Sequence, residues 1–132
     1  MEKNVITVKE NEVVEEAARI MADNAIGCLP VMRGNLLVGI ITDTDIFHVL
    51  LNAFGARHAG LRISLIIEDK PGQLVRLAKP IAEKGGNVVA FVTSECDDPS
   101  LRRATMKVTD LSLDDAKTIL KEFDDMELED LR

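Results

Sequence analysis

The sequence predicts an α+β fold laid out as two small successive units, the first running β-α-β-β-α and the second β-α-β-β-α-β. Three observations carry that prediction. Apolar residues switch repeatedly between a strand-like period of two and a helix-like period near 3.6. The switches fall at Gly, Asn and Pro, the residues that end elements. Near the middle, Gly55 to Gly60 combine glycine, alanine, Arg57 and His58 with no apolar period, the composition of a linker. That divides the chain into residues 1–54, a linker at 55–60 and residues 61–132. Units of roughly 60 to 70 residues bury only about 60% of the surface that the unfolded chain exposes, so self-association is expected.

In the first unit, Val5 to Val8 is short and β-branched and precedes the polar run Lys9 to Glu12, a strand leading to a helix start. Val14, Ala17, Ala18 and Met21 then fall at i, i+3, i+4 and i+7, one stripe of a helix that Asn24 ends. Cys28 to Met32 and Leu36 to Ile41 read as strands joined into a hairpin at Gly34-Asn35. A helix from about Thr44 to Phe54 closes the unit.

In the second unit, Ile63, Leu65 and Ile67 alternate with Arg62, Ser64 and Glu68, a strand with a mostly buried environment. Asp69-Lys70-Pro71-Gly72 is the turn. Leu74, Leu77, Ala78, Ile81 and Ala82 keep helical spacing up to Gly85-Gly86, with Pro80 placed to kink the last turn. Val88 to Thr93 forms a strand, Cys96 to Ser100 turns the chain, and Ala104, Met106 and Val108 alternate with Arg103, Thr105 and Lys107. Ser112 can cap a helix with Asp114 and Asp115 in its first turn and Ala116, Ile119, Leu120 and Phe123 on its apolar face. Met126 to Leu131 reads as a last strand. This is the split arrangement that packs two helices on one face of a four-stranded antiparallel sheet.

Composition narrows the function classes. With 46% hydrophobic and 30% charged residues, a packed globular core is expected. The 23 acidic against 16 basic residues give a net charge of −7, no Lys/Arg run stands out, and Trp and Tyr are absent, so a nucleic-acid partner is not expected. Apolar stretches are strand-sized and Glu2 stands where a basic leader would begin, so no membrane association is expected. Cys28 and Cys96 form no Cys-x-x-Cys pair, which suits a reducing cytoplasm. His48 and His58 have no carboxylate or cysteine at metal-ligand spacing, Gly85-Gly86-Asn87 lacks the Lys-Ser/Thr of a P-loop, and no nucleophile motif or acid/base pair is present. No catalytic residue, metal or cofactor is therefore assigned.

Two strand-to-helix turns could hold a ligand. In Gly39-Ile40-Ile41-Thr42-Asp43-Thr44-Asp45 a buried strand ends in hydroxyl and carboxylate groups at a helix start. Free N–H groups there favour a phosphate, a Thr hydroxyl can donate to it, and a carboxylate can accept from both hydroxyls of a ribose. The same Thr42-x-x-Asp45 spacing is also that of a capping box. In Asp69-Lys70-Pro71-Gly72-Gln73-Leu74 the helix-start N–H groups could hold a carboxylate and Asp69 or a main-chain carbonyl an ammonium, or the segment is simply a well-made turn.

The neighbourhoods of both turns are more specific. Val5-Ile6-Thr7-Val8, Ala17-Ala18-Arg19-Ile20-Met21, Leu29-Pro30-Val31 and Leu37 through Ile46 together resemble a CBS motif. In that family two motifs pair into a disc with clefts for adenosine-containing ligands. The resemblance implies that Thr42 and Asp45 contact phosphate and ribose, and that Leu29, Pro30 and Val31 line the adenine. A single motif is present, so its partner motif would come from another chain or from a longer parent protein.

Arg62 through Leu74, followed by Ile81-Ala82-Glu83-Lys84-Gly85-Gly86-Asn87-Val88, looks like an ACT domain, a ferredoxin-like fold that pairs side by side or face to face and often binds amino acids near its first turn. The resemblance implies an amino-acid site at Asp69, Gly72 and Asn87, with Gln73 and Leu74 beside them. A CBS motif followed by an ACT domain is similar to the regulatory proteins of the acetoin-utilisation protein B type. The resemblance implies a non-catalytic cytoplasmic homo-oligomer that senses an adenine nucleotide and an amino acid. The alternative is an oligomerisation scaffold, or part of a larger regulatory protein, with no ligand of its own.

Overall fold

The structure, a computed structural model, describes residues 5–132; residues 1–4 of the predicted first unit, Glu2 among them, lie outside the described residues. The chain is mixed α+β and divides into two compact units, Met1–Leu50 and Leu51–Arg132. The described residues form two sheets and four helices.

The first unit holds β1 (Val8–Lys9), α1 (Val14–Asp23), β2 (Cys28–Arg33), β3 (Leu36–Thr42) and most of α2 (Asp43–Ala53), the division between the units falling within that helix after Leu50. Its sheet has the order β1-β2-β3, parallel between β1 and β2 and antiparallel in the β2–β3 hairpin. The predicted first strand, Val5 to Val8, is corrected to Val8–Lys9, and Val5 and Ile6 stand 70% and 38% exposed. Proline explains the shortening. The Met32 carbonyl accepts the Glu10 N–H on the β1 side of β2. Two residues earlier the backbone nitrogen faces the same way, and there Pro30 has no N–H to extend the ladder.

Val8, Ala17, Met21 and Leu29 form the core of this unit, with Ile26, Ile41 and Ile46 packed against it. The opposite sheet face has no cover within the unit. Pro30 pairs with Ile40 and Met32 with Leu37 across the hairpin, a register shift leaving Val38 extra between them. Ile40 is 57% and Leu37 55% exposed. Helix α2 buries no residue fully, and Phe47 and Leu50 face outward.

The second unit runs β4 (Leu61–Glu68), α3 (Gln73–Glu83), β5 (Asn87–Glu95), β6 (Leu101–Thr109), α4 (Leu113–Leu120) and β7 (Glu127–Leu131). The sheet order is β5-β6-β4-β7, with every neighbouring pair antiparallel. Ile63, Leu65 and Ile67 of β4 and Ala104, Met106 and Val108 of β6 share one face, where Leu77 and Ile81 of α3 and Ile119 of α4 cover them. The predicted alternation is thus realised in packing. Helix α3 continues through Pro80 to Glu83, and the N–H groups of Gly85 and Gly86 close its end on the carbonyls of Ala82 and Ile81. Ser112 caps α4 by accepting the Asp115 N–H at 3.1 Å. The helix is shorter than predicted: it ends at Leu120, and Phe123 packs on the core from beyond it.

On the other sheet face polar groups pair among themselves. Arg103 meets Glu129 in a two-bonded contact at 2.6 and 3.0 Å, Ser64 donates to the same carboxylate at 3.3 Å, and Arg62 meets Asp130 at 3.1 Å.

Candidate functional site

In the first unit, β3 delivers Thr42 to the N-terminus of α2. The Thr42 backbone N–H donates to Asp45 Oδ2 at 2.8 Å, the Thr42 hydroxyl donates to the same oxygen at 3.0 Å, and the Asp45 N–H lies 3.3 Å from the Thr42 hydroxyl oxygen. This is the reciprocal geometry of a capping box. Asp43 supports it from outside, donating its N–H to the Gly27 carbonyl and accepting the Thr44 N–H, both within hydrogen-bond distance. The bonds from Thr42, backbone first and hydroxyl second, hold the Asp45 carboxyl below its ordinary value, with a smaller contribution from His48. The carboxylate is therefore an anion ready to accept further hydrogen bonds. Among the described residues both bonds go to Oδ2, and Oδ1, on an exposed residue, accepts none.

The three predicted adenine-lining residues separate by strand alternation. Leu29 lies wholly inside the core with Val31 packed against it, so Leu29 can shape a ligand site only from behind. Pro30 stands on the uncovered face opposite Ile40.

In the second unit a cleft of about 290 Å³ opens where α3 begins. Its floor is the end of the helix-covered sheet face, Ile67, Phe91, Thr93 and Arg102, and its wall is the Asp69–Leu74 turn. Gly72 is the N-cap of α3 at φ 87°, a left-handed conformation that costs glycine nothing, and no side chain fills the space a Cβ would enter. Gln73 is buried and occupied: its Nε2 donates to the Glu68 carbonyl at 3.0 Å and its Oε1 accepts from Arg76 at 2.7 Å. It anchors the turn to the end of β4. Leu74 is half exposed at the rim.

Asp69, Gly72, Gln73 and Leu74 are thus brought together, and Asn87 is not. Asn87 begins β5 opposite Thr109, whereas Thr93 lies six residues along that strand, about 20 Å at the usual rise. Within one chain Asn87 sits at the other end of the sheet.

Arg102, Thr93 and Phe91 were not predicted. Arg102 had a legible signal: counting back by twos from Val108, Met106 and Ala104, the next position on the core face is a guanidinium. Its Nε donates to Thr93 Oγ1 at 3.2 Å.

Among the described residues, no group of three or more His, Cys, Asp or Glu side chains could hold a metal ion, and no helix is long and apolar enough to cross a membrane.

Comparison with known proteins places a CBS domain in the first unit: residues 1–52 match that family. Inosine-5'-monophosphate dehydrogenase of Korarchaeum cryptofilum is 47% identical over 45 residues, 34% of this chain and 10% of that enzyme. An uncharacterized protein of Methanocaldococcus jannaschii is 48% identical over 44 residues, 33% of this chain and 23% of that protein. A CBS domain-containing protein of Bacillus subtilis is 39% identical over 46 residues, 35% of this chain and 33% of that one. The chain thus spans between 10% and 33% of the length of these relatives.

Proposed function

We propose, starting from the CBS domain over residues 1–52, that the chain is a non-catalytic cytoplasmic regulatory module. Its first unit senses an adenosine-containing nucleotide, and its second, read as an ACT domain of ferredoxin-like fold, senses an amino acid. The observation that carries the reading is the Thr42–Asp45 pair. It stands at a strand end inside the matched segment, with an ionised carboxylate whose Oδ1 remains to accept from a ribose. The uncovered apolar sheet face at Ile40 and Leu37 supports completion of the nucleotide cleft by a second CBS motif. The order β-α-β-β-α-β and the cleft beside Asp69 and Gly72 support the amino-acid site. Ligand binding would act through its differential affinity for two arrangements of subunits.

The test is thermal unfolding of the chain with AMP, ATP, S-adenosylmethionine and a panel of amino acids, repeated on Asp45→Ala and Asp69→Ala. A ligand at 100 times its dissociation constant stabilises the fold by about 2.7 kcal/mol, a shift of several degrees. A nucleotide shift lost in Asp45→Ala supports sensing by the first unit, and an amino-acid shift lost in Asp69→Ala supports it in the second.

One observation favours a second reading. Thr42 and Asp45 already satisfy each other as a helix cap, so they have a structural role without any ligand. An oligomerisation scaffold, alone or within a larger regulatory protein, would give no shift with any compound.

A further inference from the structure

We propose that Arg102 receives the carboxylate of a zwitterionic amino acid with an apolar side chain, bound in the cleft at the start of α3. The inference rests on the reading of the second unit as an amino-acid site and names the ligand class and the residue that selects it.

A charge in the core register of a strand is costly unless something pairs with it. Arg102 stands directly opposite Ile67 and next in line after Ala104, on the face that both helices cover. The neighbouring arginines of this unit are matched: Arg62 and Arg132 with Asp130, Arg76 with Asp125, Arg103 with Glu129. Arg102 is half buried, has no carboxylate in ion-pair reach among the described residues, and is oriented by its Nε bond to Thr93 Oγ1. The other edge of its guanidinium is left to the cleft.

The surrounding charges decide what can bind there. Lys70 and Glu68 neutralise each other at 3.0 Å. The remaining charges at the cleft and the recess beside it are Arg102 and two carboxylates, Asp69 and Glu95, the latter opposite Arg102 in the β5–β6 register. One cation flanked by two anions disfavours a ligand of net negative charge. It suits a zwitterion whose carboxylate lies on Arg102 and whose ammonium lies toward Asp69. Ile67, Leu74 and Phe91 offer apolar wall to the rest of the ligand. A volume of about 290 Å³ lies at the lower end of the range for small-molecule sites. A dicarboxylic amino acid would set its second carboxylate against these apolar walls.

The test is titration calorimetry of the full chain with L-leucine, L-glutamate and leucinol, in which an alcohol replaces the carboxylate, on the parent protein, Arg102→Gln and Arg102→Lys. Leucine is expected to bind, glutamate more weakly, and leucinol roughly ten- to a hundredfold more weakly than leucine, the worth of a charge-assisted hydrogen bond. Arg102→Gln should weaken leucine by a similar factor and abolish its advantage over leucinol, while Arg102→Lys keeps part of it. Should Arg102→Gln fail to fold, judged by circular dichroism, Arg102→Lys and the three ligands on the parent protein still carry the test. If either variant keeps the full preference for leucine over leucinol, the helix-start amides hold the carboxylate and the role of Arg102 is refuted, although the amino-acid site stands. Tighter binding of glutamate than of leucine overturns the ligand class. If neither leucine nor glutamate gives heat with the parent protein, and no amino acid of the thermal-unfolding panel shifts its midpoint, the amino-acid reading falls and this inference with it.

Discussion

Thr42 and Asp45 hold each other across the first turn of α2: the carboxylate takes the backbone N–H of Thr42 at 2.8 Å while the Thr42 hydroxyl faces the N–H of Asp45 at 3.3 Å. Thr42→Ala removes the side-chain half of this exchange. It is expected to lower stability by about 1 kcal/mol, the usual cost of losing a helix cap, and Thr42→Ser to restore most of it. Urea unfolding of the three proteins measures both differences.

The same pair sets a pH dependence. Because Thr42 lowers the pKa of Asp45 in the folded chain, the unfolded chain takes up the proton first as pH falls. The contribution of Asp45 is therefore complete above the ordinary carboxylate range, around pH 4, and is lost as pH drops through the lower folded value. Asp45→Asn should narrow the stability gap between neutral and acid solution. Chemical denaturation repeated from pH 7 to pH 2 would detect this as a shallower acid limb in the variant.

Gly60 lies in the segment read from sequence as a linker, yet the backbone passes too close to β6 there for a side chain. A Cβ at this position would sit 2.5 Å from the Val108 carbonyl oxygen. Backbone cannot swing aside as a flexible side chain can, so Gly60→Ala should destabilise the second unit, by an amount in the roughly 1–3 kcal/mol range of overpacking. A thermal midpoint equal to that of the parent protein would contradict the close approach.

Leu77 is buried between α3 and the sheet with Ile81 beside it. Leu77→Ala leaves a cavity at the centre of the second unit and is expected to cost about 2–5 kcal/mol, whereas Leu77→Met should cost less than about 1.5 kcal/mol. Calorimetric unfolding of both variants gives the comparison.

Ile40 contributes nothing to the buried core of its own unit. Ile40→Lys should therefore leave the unfolding midpoint of an isolated chain nearly unchanged and weaken self-association, read by sedimentation velocity over a concentration series. Unaltered sedimentation would mean that copies of this chain do not meet through that face.

Much of the fold was legible because both periods are well populated. Ile63, Leu65 and Ile67 read as a strand face and became one, and the stripe of Leu77 and Ile81 became the buried face of α3. The first strand is shorter than its sequence suggests for a nonlocal reason: its length depends on a missing N–H at Pro30, more than twenty positions later in sequence. At the candidate sites, local turns were readable and sheet geometry was not. Asp69 and Gly72 are close because they share a turn, while the distance to Asn87 depends on β5 running antiparallel to β6. Leu29 looked like ligand-lining apolar edge, but alternation sends it into the core. Arg102 is hidden in the sequence because a charged residue beside Arg103 reads as solvated until the register shows which one faces inward.

The inner position of β4 has a consequence for synthesis. The strand made first in this unit is flanked on one side by β6 and on the other by β7. Arg62 exchanges backbone hydrogen bonds with Arg132 at 2.6 and 3.0 Å, and its guanidinium reaches Asp130, 68 residues later. A nascent chain that has released β4, α3, β5 and β6 from the ribosome still carries one open edge along β4, with its N–H and C=O groups unclaimed. Closure of the sheet waits on β7, so the open edge of β4 is available for strand pairing with neighbouring chains until that strand has left the ribosome.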